Sequence, residues 1–87
     1  MIEILTTKDF DKSFKKKDGF IKKKALERIK LFKEDPFNFL LNNHALTGEY
    51  GGERSFNVTG DCRISFYYAN KNTVVLSDIG THPELYG

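Results

Sequence analysis

The spacing of apolar positions changes period along this chain. Residues 2–5 open it as a short β-prone run, followed by Thr6 and Thr7, whose side-chain oxygens can cap a helix. Phe10 and Phe14 stand four apart among Lys and Asp, the signature of one helical face. Asp18-Gly19 interrupts the pattern, glycine being a natural residue just past a helix end. From about residue 20 to residue 34, Ile21, Ala25, Leu26, Ile29 and Phe32 recur at helical spacing. Asp35-Pro36 stops that run, because the residue before a proline resists the helical region. Two helices joined by a short turn predict an antiparallel hairpin.

The second half switches to alternation. Residues 37–41 are apolar and predict one further helical turn. Asn42 and Asn43 lead into His44-Ala45-Leu46-Thr47-Gly48, and Tyr50-Gly51-Gly52 reads as a loop. Residues 54–58 predict a strand, Thr59-Gly60-Asp61 a turn. Residues 62–69 give the clearest strand: Ile64, Phe66 and Tyr68 alternate with Arg63, Ser65 and Tyr67. Asn70-Lys71-Asn72 turns the chain into a β-branched strand over residues 73–79, and residues 80–87 are read as a tail. The order β-α-α-β-β-β predicts an α+β fold of one domain over residues 1–87. In it a short N-terminal strand and a helix hairpin pack on a twisted antiparallel sheet.

Composition narrows the class. The 87 residues are 39% hydrophobic and 30% charged, a globular balance, and eight Phe with four Tyr supply core area. The start Met1-Ile2-Glu3-Ile4-Leu5 lacks a signal peptide's basic region, and no apolar run is long enough to span a bilayer. With Cys62 the only cysteine, no intrachain disulfide forms, and a cytoplasmic protein with no membrane partner is expected. The net charge of +2 is uneven. Residues 8–33 carry eleven Lys/Arg against four acids, and residues 34–87 three against seven. That asymmetry fits a nucleic-acid or acidic partner; the bland alternative is two solvated helix faces.

Several chemistries have no motif here. The glycines of 48–52 lack the Lys-Ser/Thr ending of a phosphate loop, no paired cysteines suggest zinc, and no nucleophile elbow is present. No metal and no cofactor are expected. What remains is a scattered polar set: His44 before the first central strand, Asp61 in a hairpin turn, and His82 beyond the last strand. Histidine moves protons near neutral pH. Asp61 after Gly60 is also an ordinary turn residue, and a histidine at an element end can simply cap backbone groups.

The residues themselves carry more. The run His44-x-Leu46-x-Gly48, then Arg54, Val58-x-x-Asp61, Arg63-Ile64-Ser65-Phe66-Tyr67-Tyr68 and Ile79-Gly80-Thr81-His82-x-x-Leu85-Tyr86 resembles the YafQ branch of the RelE/ParE toxin superfamily over about residues 42–87. The resemblance implies the toxin of a type II toxin–antitoxin pair, an endoribonuclease that cuts mRNA on the ribosome and is neutralised by a cognate antitoxin. It implies a helix hairpin on a twisted antiparallel sheet. It places His82 at the main acid/base histidine, with Asp61 and His44 as further catalytic residues. Tyr86 falls at the C-terminal aromatic near the cleaved nucleotides.

Metal-free cleavage of this kind uses the ribose 2′-OH as nucleophile. It needs a base, an acid and positive charge on the phosphoryl oxygens. His82 and His44 would share the proton roles, Asp61 would orient an imidazole or accept a proton, and Arg54 or Arg63 would hold phosphate. Tyr86 would stack on a base. Lys15, Lys16, Lys22 and Lys23 on the helices would grip RNA backbone. Three residues depart from the family's pattern. Asn57 stands where a second strand histidine is frequent, Cys62 where an aromatic is common, and Asp78 where a basic residue is expected. At ~5 Å and an effective dielectric of ~20, Asp78 would repel a phosphate by ~3 kcal/mol, so weakened cleavage is expected. Two alternatives stay open: a non-cutting module that docks on ribosome or antitoxin, and a gyrase-directed toxin of the ParE branch. The histidine-bearing tail speaks against the latter.

Overall fold

The computed structural model describes residues 2–46 and 52–86. Gly48 and the Tyr50-Gly51 loop expectation therefore lie outside the described residues. The chain forms β1 (Glu3–Thr6), α1 (Lys8–Lys15), α2 (Gly19–Glu34), a 3₁₀ turn (Phe39–Leu41), β2 (His44–Ala45), β3 (Arg54–Asn57), β4 (Cys62–Asn70), β5 (Thr73–Thr81) and a short α3 (His82–Tyr86). Thr7 caps α1 as expected, its hydroxyl accepting from the Phe10 N–H at 3.0 Å. Asp18-Gly19 acts differently from the expectation. Asp18 is the N-cap of α2, its carboxylate accepting from the Ile21 N–H at 2.9 Å, and Gly19 is the first residue of that helix. The break ahead of it is made by Lys16, which ends α1.

The sheet order is β1-β5-β4-β3-β2. Strands β2 to β5 form the antiparallel meander; β1 adds to the β5 edge in parallel, a pairing that needs the two-helix crossover between them. One face is apolar. Phe56, Ile64, Phe66, Val74 and Leu76 project from it against Ala25 and Phe32 of α2, Phe10 of α1 and Leu41 of the 3₁₀ turn. The ring of Phe32 stacks on Phe56 and meets Phe66 edge-on, both at 4.9 Å between centroids. Leu26, which shares the helical period, is solvent-exposed.

A bulge at Ser65/Phe66 decides the other face. Ser65 pairs with Asp78 but Phe66 pairs with Leu76, leaving Ser77 as the extra residue. The shift buries Ile79 and turns Asp78 away from the core. The face opposite the helices thus carries His44, Ser55, Asn57, Arg63 and Ser65, a polar stripe across three strands. Among the described residues no helix is long and apolar enough to cross a membrane.

Candidate active site

The β4–β5 hairpin register sets Cys62 opposite Thr81, so the residue before β4 and the residue after β5 come to one end of the sheet. Asp61, Arg63 and His82 line a single cleft of about 340 Å³ there, walled by Gly60, Thr81 and Pro83. The turn bearing Asp61 is held from within. The Cys62 carbonyl accepts from the N–H groups of Val58 (2.8 Å) and Thr59 (3.0 Å), and the Cys62 N–H donates to the Thr59 hydroxyl at 3.0 Å. Asp61 and His82 are exposed, Arg63 half-buried. Arg63 lies opposite Asn57 on β3 and Gly80 on β5. Its Nε and the Oδ1 of Asn57 are both buried without a hydrogen-bond partner among the described residues, as is the Ser55 hydroxyl. Buried polar atoms are normally satisfied, so these three set this face apart from the apolar one.

His82 is set by a capping device. The Thr81 N–H donates to Glu84 Oε1 at 2.8 Å, and the Glu84 N–H donates back to the Thr81 hydroxyl at 3.4 Å, a reciprocal capping box that starts α3. Lys17, just past α1, reaches the same carboxylate at 3.2 Å. Gly80 makes the close approach possible: a Cβ there would lie 2.9 Å from Glu84 Oε1 and 3.2 Å from Glu84 Cβ. One turn further on, the Tyr86 ring meets the His82 imidazole edge-on at 5.0 Å. The Thr81 N–H, then Lys17, hold the Glu84 carboxyl below its ordinary value of 4.5. A depressed carboxyl pKa gives stability that is present above the unfolded value and lost as pH falls through the folded one. The Thr81 N–H bond to Glu84, followed by NMR of the Thr81 amide from neutral pH downward, is therefore expected to loosen only below the ordinary glutamate value. An amide that is unchanged as pH falls through that range would remove Glu84 as its acceptor.

Other expected site residues fall elsewhere. His44 sits on edge strand β2, in the Ser55–Ser65–Asp78 row and three strand spacings from β5, roughly 14 Å. Its Nδ1 lies 2.8 Å from the Asn42 carbonyl, which can only accept. The proton is thus on Nδ1, and Nε2 is the acceptor of the neutral ring. Asn42 presents that carbonyl from the left-handed region (φ 47°), which asparagine tolerates. Arg54 does not join the cleft. It is opposite core residue Phe66, donates to Asn43 Oδ1 at 2.8 Å and covers the Phe37 ring at 5.6 Å. Asp78 does not line the His82 cleft either. It lies four residues from His82, roughly 13 Å along an extended strand. Its carboxylate accepts from the Ile79 N–H at 2.8 Å, and it borders two other cavities, one beside Lys16 and Lys17. Tyr86 is half-buried against His82. Lys15, Lys16 and Lys23 are exposed and Lys22 half-buried, all outside the cleft. Cys62 is buried, and desolvation pushes its thiol pKa up.

The profile of bacterial YafQ toxins of type II toxin–antitoxin systems matches residues 2–87. The chain belongs to the YafQ toxin family. Escherichia coli YafQ from strain BL21(DE3) superposes with a TM-score of 0.81 at 20% identity, covering 100% of both chains. YafQ in the E. coli DinJ–YafQ complex gives 0.73 at 21% identity, again over 100% of both. A YoeB/ParE toxin from Agrobacterium tumefaciens gives 0.78 at 18% identity, covering 93% of this chain and 99% of its own. At these identities the superpositions establish a shared fold. No curated protein sequence matches significantly.

Of the residues supplied by the resemblance, Asp61 and His82 share a cleft and His44 stands apart; of the two arginines considered for phosphate, Arg63 lines that cleft and Arg54 does not. The resemblance did not supply the supports. Thr81-x-x-Glu84 is a capping-box signature that announces α3, with Pro83 tolerated in its first turn. Lys24 and Arg28, which flank the neighbouring groove, differ from the other helix lysines only by their phase on α2.

Proposed function

We propose that this toxin is a ribosome-dependent mRNA endoribonuclease that cleaves without metal through the ribose 2′-OH. One observation carries the reading: an imidazole, a carboxylate and a half-buried arginine line one open cleft. The 2′-OH attacks its own phosphorus, and the 5′-oxygen leaves. In the reading, Asp61 takes up or steers the 2′-OH proton, Arg63 binds a phosphoryl oxygen as charge builds there, and protonated His82 delivers a proton to the 5′-oxygen. His44 Nε2 faces the same polar side of the sheet and meets RNA further along the strand, or acts as base once substrate bridges the interval. Tyr86 packs on the His82 ring and stacks on a base of the bound RNA.

The basic run of α1 and α2, with Lys15, Lys16, Lys22 and Lys23, would rest on ribosomal RNA backbone, making the association strongly salt-dependent. The E. coli relative is found with DinJ in a toxin–antitoxin complex; we infer a cognate antitoxin for this chain and a site of action in the cytoplasm. Induced expression with mapping of cellular mRNA 5′ ends tests the reading. New ends in frame with codons are expected. Growth arrest without new ends would overturn cleavage and leave a docking toxin or one directed at another target.

A further inference from the structure

The cleft continues past Asp61. Gly60, on its wall, also borders a groove of about 420 Å³ lined by Phe20, Lys24, Arg28 and Leu40 together with residues 57–59. Phe20, Lys24 and Arg28 are spaced by four along α2 and so form one stripe facing the β3–β4 turn. Phe20 is 68% exposed and lies outside the core cluster, so packing does not explain it. No carboxylate lines this groove among the described residues. Lys24 is only loosely matched by Glu27 at 4.0 Å, and Arg28 is in no ion pair among those residues.

An exposed aromatic face beside two cations, continuous with a cleft that takes a phosphodiester, fits single-stranded RNA. Every base offers a π-face, and the phosphate beside it needs positive charge. We propose that this groove is a second subsite, holding the nucleotide that adjoins the one in the cleft. Phe20 stacks on its base, Lys24 and Arg28 grip its phosphate, and Leu40 closes the apolar floor. The assignment rests on the endoribonuclease reading and extends it, since it fixes where the strand runs. The path crosses the β3–β4 turn at Gly60, which borders both the cleft and the groove.

The test measures binding without cleavage. A fluorescent, 2′-O-methylated RNA of about ten nucleotides has no 2′-OH to attack, and its length suits such grooves. Its anisotropy is followed across a salt series with the full chain. Phe20→Ala is expected to weaken binding by about five- to tenfold while leaving the salt slope unchanged. The double variant Lys24→Gln/Arg28→Gln is expected to flatten the slope of log Kd against log salt by about 1.4, two phosphate contacts on a single strand. Circular dichroism checks that both remain folded. Wild-type affinity in both variants would overturn the subsite. So would a flattened slope with no effect of Phe20→Ala, which means charge steering alone. Failure of the wild type to bind would give the groove to an amphipathic protein segment and equally overturn it. The two readings separate cleanly: groove-dependent binding with cellular mRNA left uncut would sink the nuclease and keep the subsite.

Discussion

His82→Ala is expected to lower mRNA cleavage by about 10²–10⁴-fold and to abolish growth arrest, while the protein still folds and binds its antitoxin. The side chain is exposed and meets the Tyr86 ring. The sheet and the helix layer do not use it. On the proposed mechanism its loss would leave Asp61 and Arg63 to bind phosphate with no group to protonate the leaving oxygen. The measurement is paired: cleavage of ribosome-bound message, and circular dichroism with antitoxin pull-down on the same preparation. Full cleavage by a folded variant would remove His82 from the proton-transfer role and leave His44 as the remaining imidazole. Asp78 is a separate matter. Its carboxylate accepts from the Ile79 N–H and does not line the cleft, so Asp78→Arg is expected to change the rate by far less than the roughly hundredfold of a ~5 Å approach.

Local periodicity made much of the fold legible. Ile64 and Phe66 alternate with Arg63 and Ser65, and the first pair is buried in the core. Ile21, Ala25, Ile29 and Phe32 mark the face of α2 that meets it. Asp18-Gly19 was ambiguous because the same dipeptide serves a helix end and a helix start; which one depends on where Lys16 lets α1 stop. The parallel pairing of β1 with β5 is non-local, and nothing within residues 2–5 encodes it. Asp78 is the clearest case of a missing term. Strict alternation from Val74 and Leu76 would put position 78 on the core face, and only the bulge at Ser65/Phe66 moves it out and Ile79 in. The meeting of Asp61 with His82 follows from the hairpin register, since Cys62 pairs with Thr81. The distance of His44 follows from sheet order, which local pattern does not give.

Phe32→Ala is expected to cost about 3–5 kcal/mol, against a total of about 5–15 kcal/mol for a domain of this kind. Phe32 is fully buried and joins α2 to two strands at once, stacked on Phe56 and edge-on to Phe66. Truncation removes the aromatic area and leaves a void at the meeting of both layers. Neither ring can move in to fill it, because each belongs to a paired strand. Chemical denaturation should show a midpoint reduced in proportion, with a rising unfolded fraction as temperature increases. Phe32→Leu keeps most of the volume and is expected to lose less than half as much. A loss below about 1 kcal/mol for Phe32→Ala would mean that α2 is held to the sheet chiefly by its other contacts. The two substitutions fail in opposite ways. Phe32→Ala is expected to lower the amount of active toxin while each folded molecule cuts at the normal rate, because the cleft is built on the far ends of β4 and β5. His82→Ala leaves the amount unchanged and removes the rate. Measuring cleavage per folded molecule in both variants therefore separates what holds the sheet together from what the sheet holds in place.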